Sequence, residues 1–101
     1  MPRNQPYYSI KTVRKCIDNG NFFVEPKARE TAKNHFGWLQ DQILAAMKEL
    51  RPKHFHKSDK KFDDPYVYVD YYKARGLRGE DVYVHFRIED GYLIICSFKR
   101  I

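Results

Sequence analysis

The chain has 101 residues, of which 43% are hydrophobic, 32% charged and 16% aromatic, and its formal net charge is +6. This length and composition predict one folded domain over residues 1–101 and exclude a two-domain or disordered chain. No apolar run approaches the roughly 18 residues of a membrane span, and the N-terminus lacks the apolar segment of a signal peptide. We therefore expect a cytoplasmic protein with no membrane partner.

The first half of the chain has the apolar periodicity of helices. Ser9 is a suitable N-cap and Gly20 a suitable residue after a helix end, while Pro26 can begin a helix and Pro52 ends one. The predicted helices span residues 10–19, 26–33 and 38–50. The apolar stripe of the third consists of Leu39, Ile43, Ala46, Met47 and Leu50. Residues 22–24 are too short to classify.

The second half changes to the two-residue periodicity of strands. Apolar and polar side chains alternate over residues 67–72, 82–88 and 92–99, and glycines mark the connection at 76–79. Helices followed by consecutive antiparallel strands predict an α+β fold, in which N-terminal helices pack on one face of a twisted antiparallel sheet.

Burial predicts the register of the last hairpin. If the apolar residues from Val82 to Ile88 face the core, the best matching alternation in the last strand is Ile94, Cys96 and Phe98. That match requires an odd-length connection, so we predict a three-residue loop around Asp90-Gly91. The opposite face then carries Tyr83, His85 and Arg87 beside Ile95, Ser97 and Lys99.

The charge pattern favours a polyanionic partner. Residues 51–61 carry a net charge of +4 and contain His54 and His56 on either side of Phe55. The two cysteines lie far apart, without the spacing of a zinc or redox site, and both are expected to be buried thiols. The Asp63-Asp64 doublet lacks a third convincing carboxylate, so we expect no metal and no cofactor.

The predicted polar face suits RNA chemistry. An RNA phosphodiester can be broken without a metal when a base removes the 2′-hydroxyl proton, cations stabilise the phosphorane, and an acid protonates the leaving 5′-oxygen. Tyr, His, Lys and Arg side chains are able to fill those roles.

Short motifs along nearly the whole chain resemble the MqsR (motility quorum-sensing regulator) toxins, which belong to the RelE-like group of bacterial toxin–antitoxin systems. These motifs are Tyr8-Ser9-Ile10, Val13-Arg14-Lys15, Gly20, Phe55-His56-Lys57, Asp70 to Arg75, Val82-Tyr83-Val84 and Ser97-Phe98-Lys99. The resemblance implies a RelE-like fold. It also implies a sequence-selective mRNA endoribonuclease that needs neither a metal nor the ribosome and is neutralised by a cognate antitoxin.

By the same resemblance, the catalytic residues of the family fall on Lys57, Tyr83 and Lys99. A strand glutamine of the family falls on Val69, which cannot form a hydrogen bond, so its role has moved to Asp70 or Tyr68 or the alignment slips by one residue. The sequence does not decide which residue acts as the general acid and which acts as the general base.

Four further residues are RNA-binding candidates: His56, Tyr68, His85 and Arg87. His85 suits proton transfer but is equally suited to packing, and Arg87 matches phosphate geometry. Tyr68, and also Tyr72, could stack unpaired bases. Two alternatives to the nuclease remain: a basic RNA- or DNA-binding module without catalysis, and an interaction subunit whose basic groove receives an antitoxin.

Overall fold

The computed structural model describes residues 3–101. Within them lie α1 (Ile10–Asp18), β1 (Phe22–Val24), α2 (Pro26–Phe36), α3 (Gln40–Met47), β2 (Phe55–Lys61), β3 (Asp64–Leu77), β4 (Glu80–Glu89) and β5 (Tyr92–Arg100). A short 3-10 helix, Pro52–His54, joins α3 to β2. The predicted α+β fold with N-terminal helices is confirmed.

The strands form one mixed sheet in the order β1-β5-β4-β3-β2. The pairs β2–β3, β3–β4 and β4–β5 are antiparallel, as predicted. In contrast, β1 lies parallel to β5 at the sheet edge, with Phe22 opposite Leu93. The expectation of a wholly antiparallel sheet was therefore wrong, because a parallel pairing between distant segments leaves no trace in the local pattern of three residues.

The helix boundaries differ from the predicted ones where a terminating signal was misjudged. Ser9 caps α1 as predicted, since its side chain accepts a hydrogen bond from the Thr12 backbone N–H at 3.0 Å. Helix α2 continues beyond Lys33, because the left-handed residue that ends it is Gly37, with a φ of 72°. Helix α3 is shorter than predicted, and Leu39, which precedes it, is 61% exposed rather than part of the core.

The core lies between the helices and one face of the sheet. The helices contribute Val13, Ala28, Ala32, Ile43 and Met47; the sheet contributes Val24, Tyr72, Val82, Val84, Phe86, Leu93, Ile95 and Phe98. Because successive strand residues point to opposite faces, the residues between these core positions lie on the face turned away from the helices. Among the residues described, none of the helices has the length and hydropathy to cross a membrane.

The β4–β5 hairpin closes with two residues rather than the three predicted. Glu89 pairs with Tyr92, and Asp90 and Gly91 both have positive φ, 51° and 80°, which suits a tight two-residue turn. This register buries Leu93 and Ile95, so the prediction that Ile94 and Cys96 face the core was wrong, and so was the placement of Ile95 on the polar face.

A β-bulge then changes the register of β5. Phe86 pairs with Ile95, but the next residue of β4, His85, pairs with Ser97, so Cys96 is an extra residue without a partner in β4. The bulge turns Phe98 into the core and places Lys99 opposite Tyr83. Cys16 is buried as predicted, whereas Cys96 is only partly buried.

Candidate active site on the open sheet face

Four neighbouring strands present polar and aromatic side chains on the sheet face that the helices leave uncovered. We call this surface the open face; its central residues are Lys57, Tyr71, Tyr83, His85 and Lys99. Lys57 lies opposite Tyr71, which lies opposite His85, and Tyr83 lies opposite Lys99. The predicted catalytic residues Lys57, Tyr83 and Lys99 thus share one face.

Close ring and ammonium contacts connect these side chains. The Lys57 Nζ lies 4.8 Å from the centre of the Tyr71 ring, and the Lys99 Nζ lies 5.3 Å from the centre of the Tyr83 ring. The His85 ring contacts both tyrosines, with centroid distances of 4.8 Å to Tyr71 and 6.0 Å to Tyr83, and the two tyrosine rings lie 6.4 Å apart. Each ammonium group therefore lies over a tyrosine ring, in the geometry of a cation–π contact.

The environment of His85 favours the neutral imidazole. Burial lowers the pKa of His85 below its usual value of 6.5, and the positive charges of Lys99 and Lys57 lower this pKa further, whereas Glu25 acts in the opposite direction. Its Nδ1 atom is buried and has no hydrogen-bond partner within residues 3–101. At neutral pH this side chain is therefore able to accept a proton.

The two tyrosines have the opposite property. Burial raises the pKa of Tyr83 above 10.0, and burial together with the neighbouring Tyr83 and Asp59 raises the pKa of Tyr71. Both phenols therefore keep their protons at neutral pH, and each can donate a hydrogen bond. The open face thus combines a proton acceptor, phenolic donors and two cations, with neighbouring groups 4.8–6.4 Å apart.

Arg87 lies on the open face, but its charge already has partners. Its guanidinium forms ion pairs with Glu25, Nη1 to Oε1 at 3.4 Å, and with Glu89, Nε to Oε1 at 3.2 Å. Its side chain is only 15% exposed. It is therefore less suited to binding a phosphate than an unpaired arginine would be.

His56 is the extra residue of a second β-bulge, between Phe55 and Lys57 in β2, and its side chain is exposed. Simple alternation, which would place His56 and Lys57 on opposite faces, does not hold across a bulge. Desolvation and the charges of Lys73 and Lys57 lower the pKa of His56.

Tyr68 lies on the other side of the sheet from these residues. Its ring stacks on Tyr7 with centroids 4.7 Å apart, and its carbonyl oxygen accepts a hydrogen bond from the Tyr8 hydroxyl at 2.8 Å. Tyr72 shares that side and is fully buried in the core. The structure therefore does not bring either tyrosine together with Tyr83.

Neither proposed substitute for the strand glutamine lies beside the site. Asp70 is fully buried on the core side, where its carboxylate oxygens accept hydrogen bonds from the backbone N–H groups of Tyr7 and Tyr8 at 3.1 and 2.9 Å. Val69, in contrast, lines a cavity of the open face together with Tyr71 and His85. The position that aligns with the glutamine is thus close to the site, but its side chain is apolar.

A family model described as "Motility quorum-sensing regulator, toxin of MqsA" matches residues 5–100. The chain belongs to the MqsR toxin family. This confirms the resemblance drawn from the sequence motifs, and membership makes the protein the toxin of a toxin–antitoxin system with an antitoxin as its partner. Among curated proteins, none matches the chain.

Two residues of this MqsR-family toxin escaped the sequence reasoning. Tyr71 is central to the open face, and Glu25 follows the edge strand β1 and reaches Arg87. For Tyr71 a signal existed, because the exposed Lys73 and Arg75 share its parity in β3, whereas the buried Ala74 shares that of Tyr72. For Glu25 none existed, since its position depends on the parallel pairing of β1.

The acidic doublet of the toxin has local roles. The Asp63 carboxylate forms an ion pair with Lys61, and the Asp64 Oδ1 accepts a hydrogen bond from the Tyr66 backbone N–H at 3.0 Å. Across residues 3–101, no group of three or more His, Cys, Asp or Glu side chains is arranged to hold a metal ion.

Proposed function

We propose that this toxin is a sequence-selective mRNA endoribonuclease that cleaves single-stranded mRNA on the open face, without a metal and without the ribosome. Family membership supports the role of toxin. The observation that carries the chemistry is that Lys57, Tyr83 and Lys99 lie on one exposed surface, although they come from three different strands.

In the proposed reaction, the 2′-oxygen of the substrate attacks the adjacent phosphorus atom, and the bond from phosphorus to the 5′-oxygen breaks. His85, which is neutral at pH 7, accepts the 2′-hydroxyl proton at Nε2, because its Nδ1 atom is buried. Lys57 and Lys99 stabilise the charge that develops on the phosphorane oxygens. The Tyr83 phenol donates a hydrogen bond to the leaving 5′-oxygen, which takes up a proton from solvent water, and His85 then releases the proton that it accepted to solvent. The products are a 2′,3′-cyclic phosphate and a 5′-hydroxyl.

The test is cleavage of a defined mRNA by purified toxin in excess chelator and without ribosomes. We expect wild-type protein to cleave the RNA. We expect the cleavage rates of Lys57→Ala and Tyr83→Phe to be lower by a factor of about 100 or more, which is the effect of removing one group that stabilises the transition state. Mapping the fragment ends should give 2′,3′-cyclic phosphates and 5′-hydroxyls.

Two matched variants control for charge and for the phenol. Lys11→Ala removes an exposed cation from α1, and Tyr92→Phe removes the hydroxyl of a half-exposed tyrosine at the hairpin turn. Both should cut at the wild-type rate. Equal cleavage rates for wild type, Lys57→Ala and Tyr83→Phe would refute the assignment of the active site to the open face. Salt-dependent RNA binding with no strand scission would instead identify a binding module without catalysis.

A further inference from the structure

A cavity of about 320 Å³ continues the open face beyond the Tyr71–His85 pair. Its lining includes Val69 and Arg87, each two residues along its strand from Tyr71 and His85 respectively. Two residues of a strand span about 7 Å. The cavity therefore lies one step along the sheet from the proposed site of cleavage, where a neighbouring nucleotide of a bound RNA strand would lie.

Apolar and aromatic groups provide surfaces for a flat ring. Val69 is 5% exposed and lines the cavity together with the Tyr71 ring, while Phe62, from the connection between β2 and β3, reaches it with a fully exposed side chain. Aromatic side chains at the surface of an RNA-binding site stack on unpaired bases, and such stacking tolerates any base. Phe62 has no evident role in the core.

The polar groups of the cavity are able to distinguish one nucleobase from another. Glu25 and Arg87 both line it, and the Arg87 Nη1 donates to Glu25 Oε1 at 3.4 Å and to Cys96 Sγ at 3.0 Å. The Glu25 side chain remains 36% exposed. An ionised carboxylate is purely an acceptor, so it selects the base edges that present N–H donors.

We propose that this cavity binds the nucleobase next to the scissile linkage, with Phe62 stacking on the base and Glu25 accepting hydrogen bonds from its N–H groups. This subsite rests on the proposed ribonuclease function, which it deepens by assigning base selection to Glu25. Glu25 belongs to a preformed ion pair, so the carboxylate is held in place before the RNA binds.

The first test is the distribution of cut sites on one long mRNA. Glu25→Gln keeps the shape of the side chain but replaces one acceptor oxygen with a donor, so the base preference next to the cut should change. Glu49→Gln, at an exposed carboxylate that pairs with Arg78 away from the cavity, should leave the cut sites unchanged. If Glu25→Gln cuts at the wild-type sites with wild-type relative rates, the subsite is refuted while the ribonuclease function stands.

The second test measures binding and does not depend on cleavage. The probes are fluorescently labelled 2′-deoxyuridine oligomers of twelve nucleotides with one central A, C, G or U. Each is titrated with protein, and binding is followed by fluorescence anisotropy. We expect Glu25→Gln to change the order of preference among the four, and Phe62→Ala to weaken all four by about fivefold or more. Tyr66→Ala removes another highly exposed aromatic of the same hairpin that does not line the cavity, and it should bind like wild type.

The two tests separate the two proposals. A base preference that depends on Glu25, without cleavage of any RNA by wild type, would support the subsite and refute the ribonuclease. If Glu25→Gln and Phe62→Ala weaken antitoxin binding but leave the base preference intact, the cavity is a protein-binding site and the nucleobase assignment is wrong.

Discussion

Replacing Asp70 tests how the N-terminal segment is held on the sheet. The Asp70 carboxylate is fully buried, and it accepts hydrogen bonds from the backbone N–H groups of Tyr7 and Tyr8. A hydrogen bond to a charged group contributes about 1.5–3 kcal/mol, and losing one partner leaves the other unsatisfied. We therefore expect Asp70→Ala to lower the free energy of unfolding by about 3–5 kcal/mol, a large part of the 5–15 kcal/mol typical of a domain.

Urea unfolding at pH 7, monitored by tryptophan fluorescence and circular dichroism, measures this loss. Asp18→Ala is the matched control, because Asp18 pairs with Lys48 on the surface with side chains 59% and 46% exposed, so its removal should change stability by about 1 kcal/mol or less. Asp70→Asn keeps one acceptor oxygen and should fall between the two. If Asp70→Ala costs no more than Asp18→Ala, the two backbone hydrogen bonds do not hold the segment and the reasoning fails.

Three further predictions concern the open face. The pKa of His85 lies below 6.5, so the imidazole stays neutral and able to accept a proton until the pH falls below 6.5. We therefore expect the cleavage rate in a pH–rate profile to decline only below pH 6.5, and we expect the residual cleavage by His85→Gln to lack this decline. Lys73 is exposed opposite Tyr83, so Lys73→Ala should reduce the slope of log K against log salt for RNA binding by about one unit, whereas Lys11→Ala on α1 should not. Burial raises the pKa of Cys96 to about 11. In a Cys16→Ser background, the rate of Cys96 alkylation by iodoacetamide should therefore rise about tenfold per pH unit from pH 7 to 10. A rate that levels off near pH 8.5 would contradict this.

The shared face of Tyr83 and Lys99 was predictable from the sequence, but the turn and the bulge that produce it were not. The predicted three-residue loop and the observed two-residue turn differ by one residue, and the bulge at Cys96 restores that residue. Both alternations in β5 are apolar, since Leu93 and Ile95 are as suited to a core as Ile94 and Cys96. Burial arguments therefore could not choose between the two alternations, and no feature of the local sequence predicts the bulge.

In β3 the sequence pattern did not show which tyrosines lie on the open face. Tyr68 and Tyr72 were candidates for stacking on RNA, but Tyr72 is buried and Tyr71 lies on the open face. Asp70 was misleading, because a carboxylate normally marks the solvent side of a strand. Its burial is explained only by the backbone of Tyr7 and Tyr8, which reaches it from more than sixty positions away in the chain.

The bulge at Cys96 decides which residues at the end of β5 face the core. Before it, odd-numbered residues such as Leu93 and Ile95 point to the core; after it, the even-numbered Phe98 does. If β5 kept all its residues but ran straight through without the bulge, Lys99 would point toward the helices and Phe98 would point into water. Deleting Cys96, in contrast, would remove the extra residue and keep Lys99 opposite Tyr83, so the position of Lys99 depends on the bulge only while β5 keeps its present length.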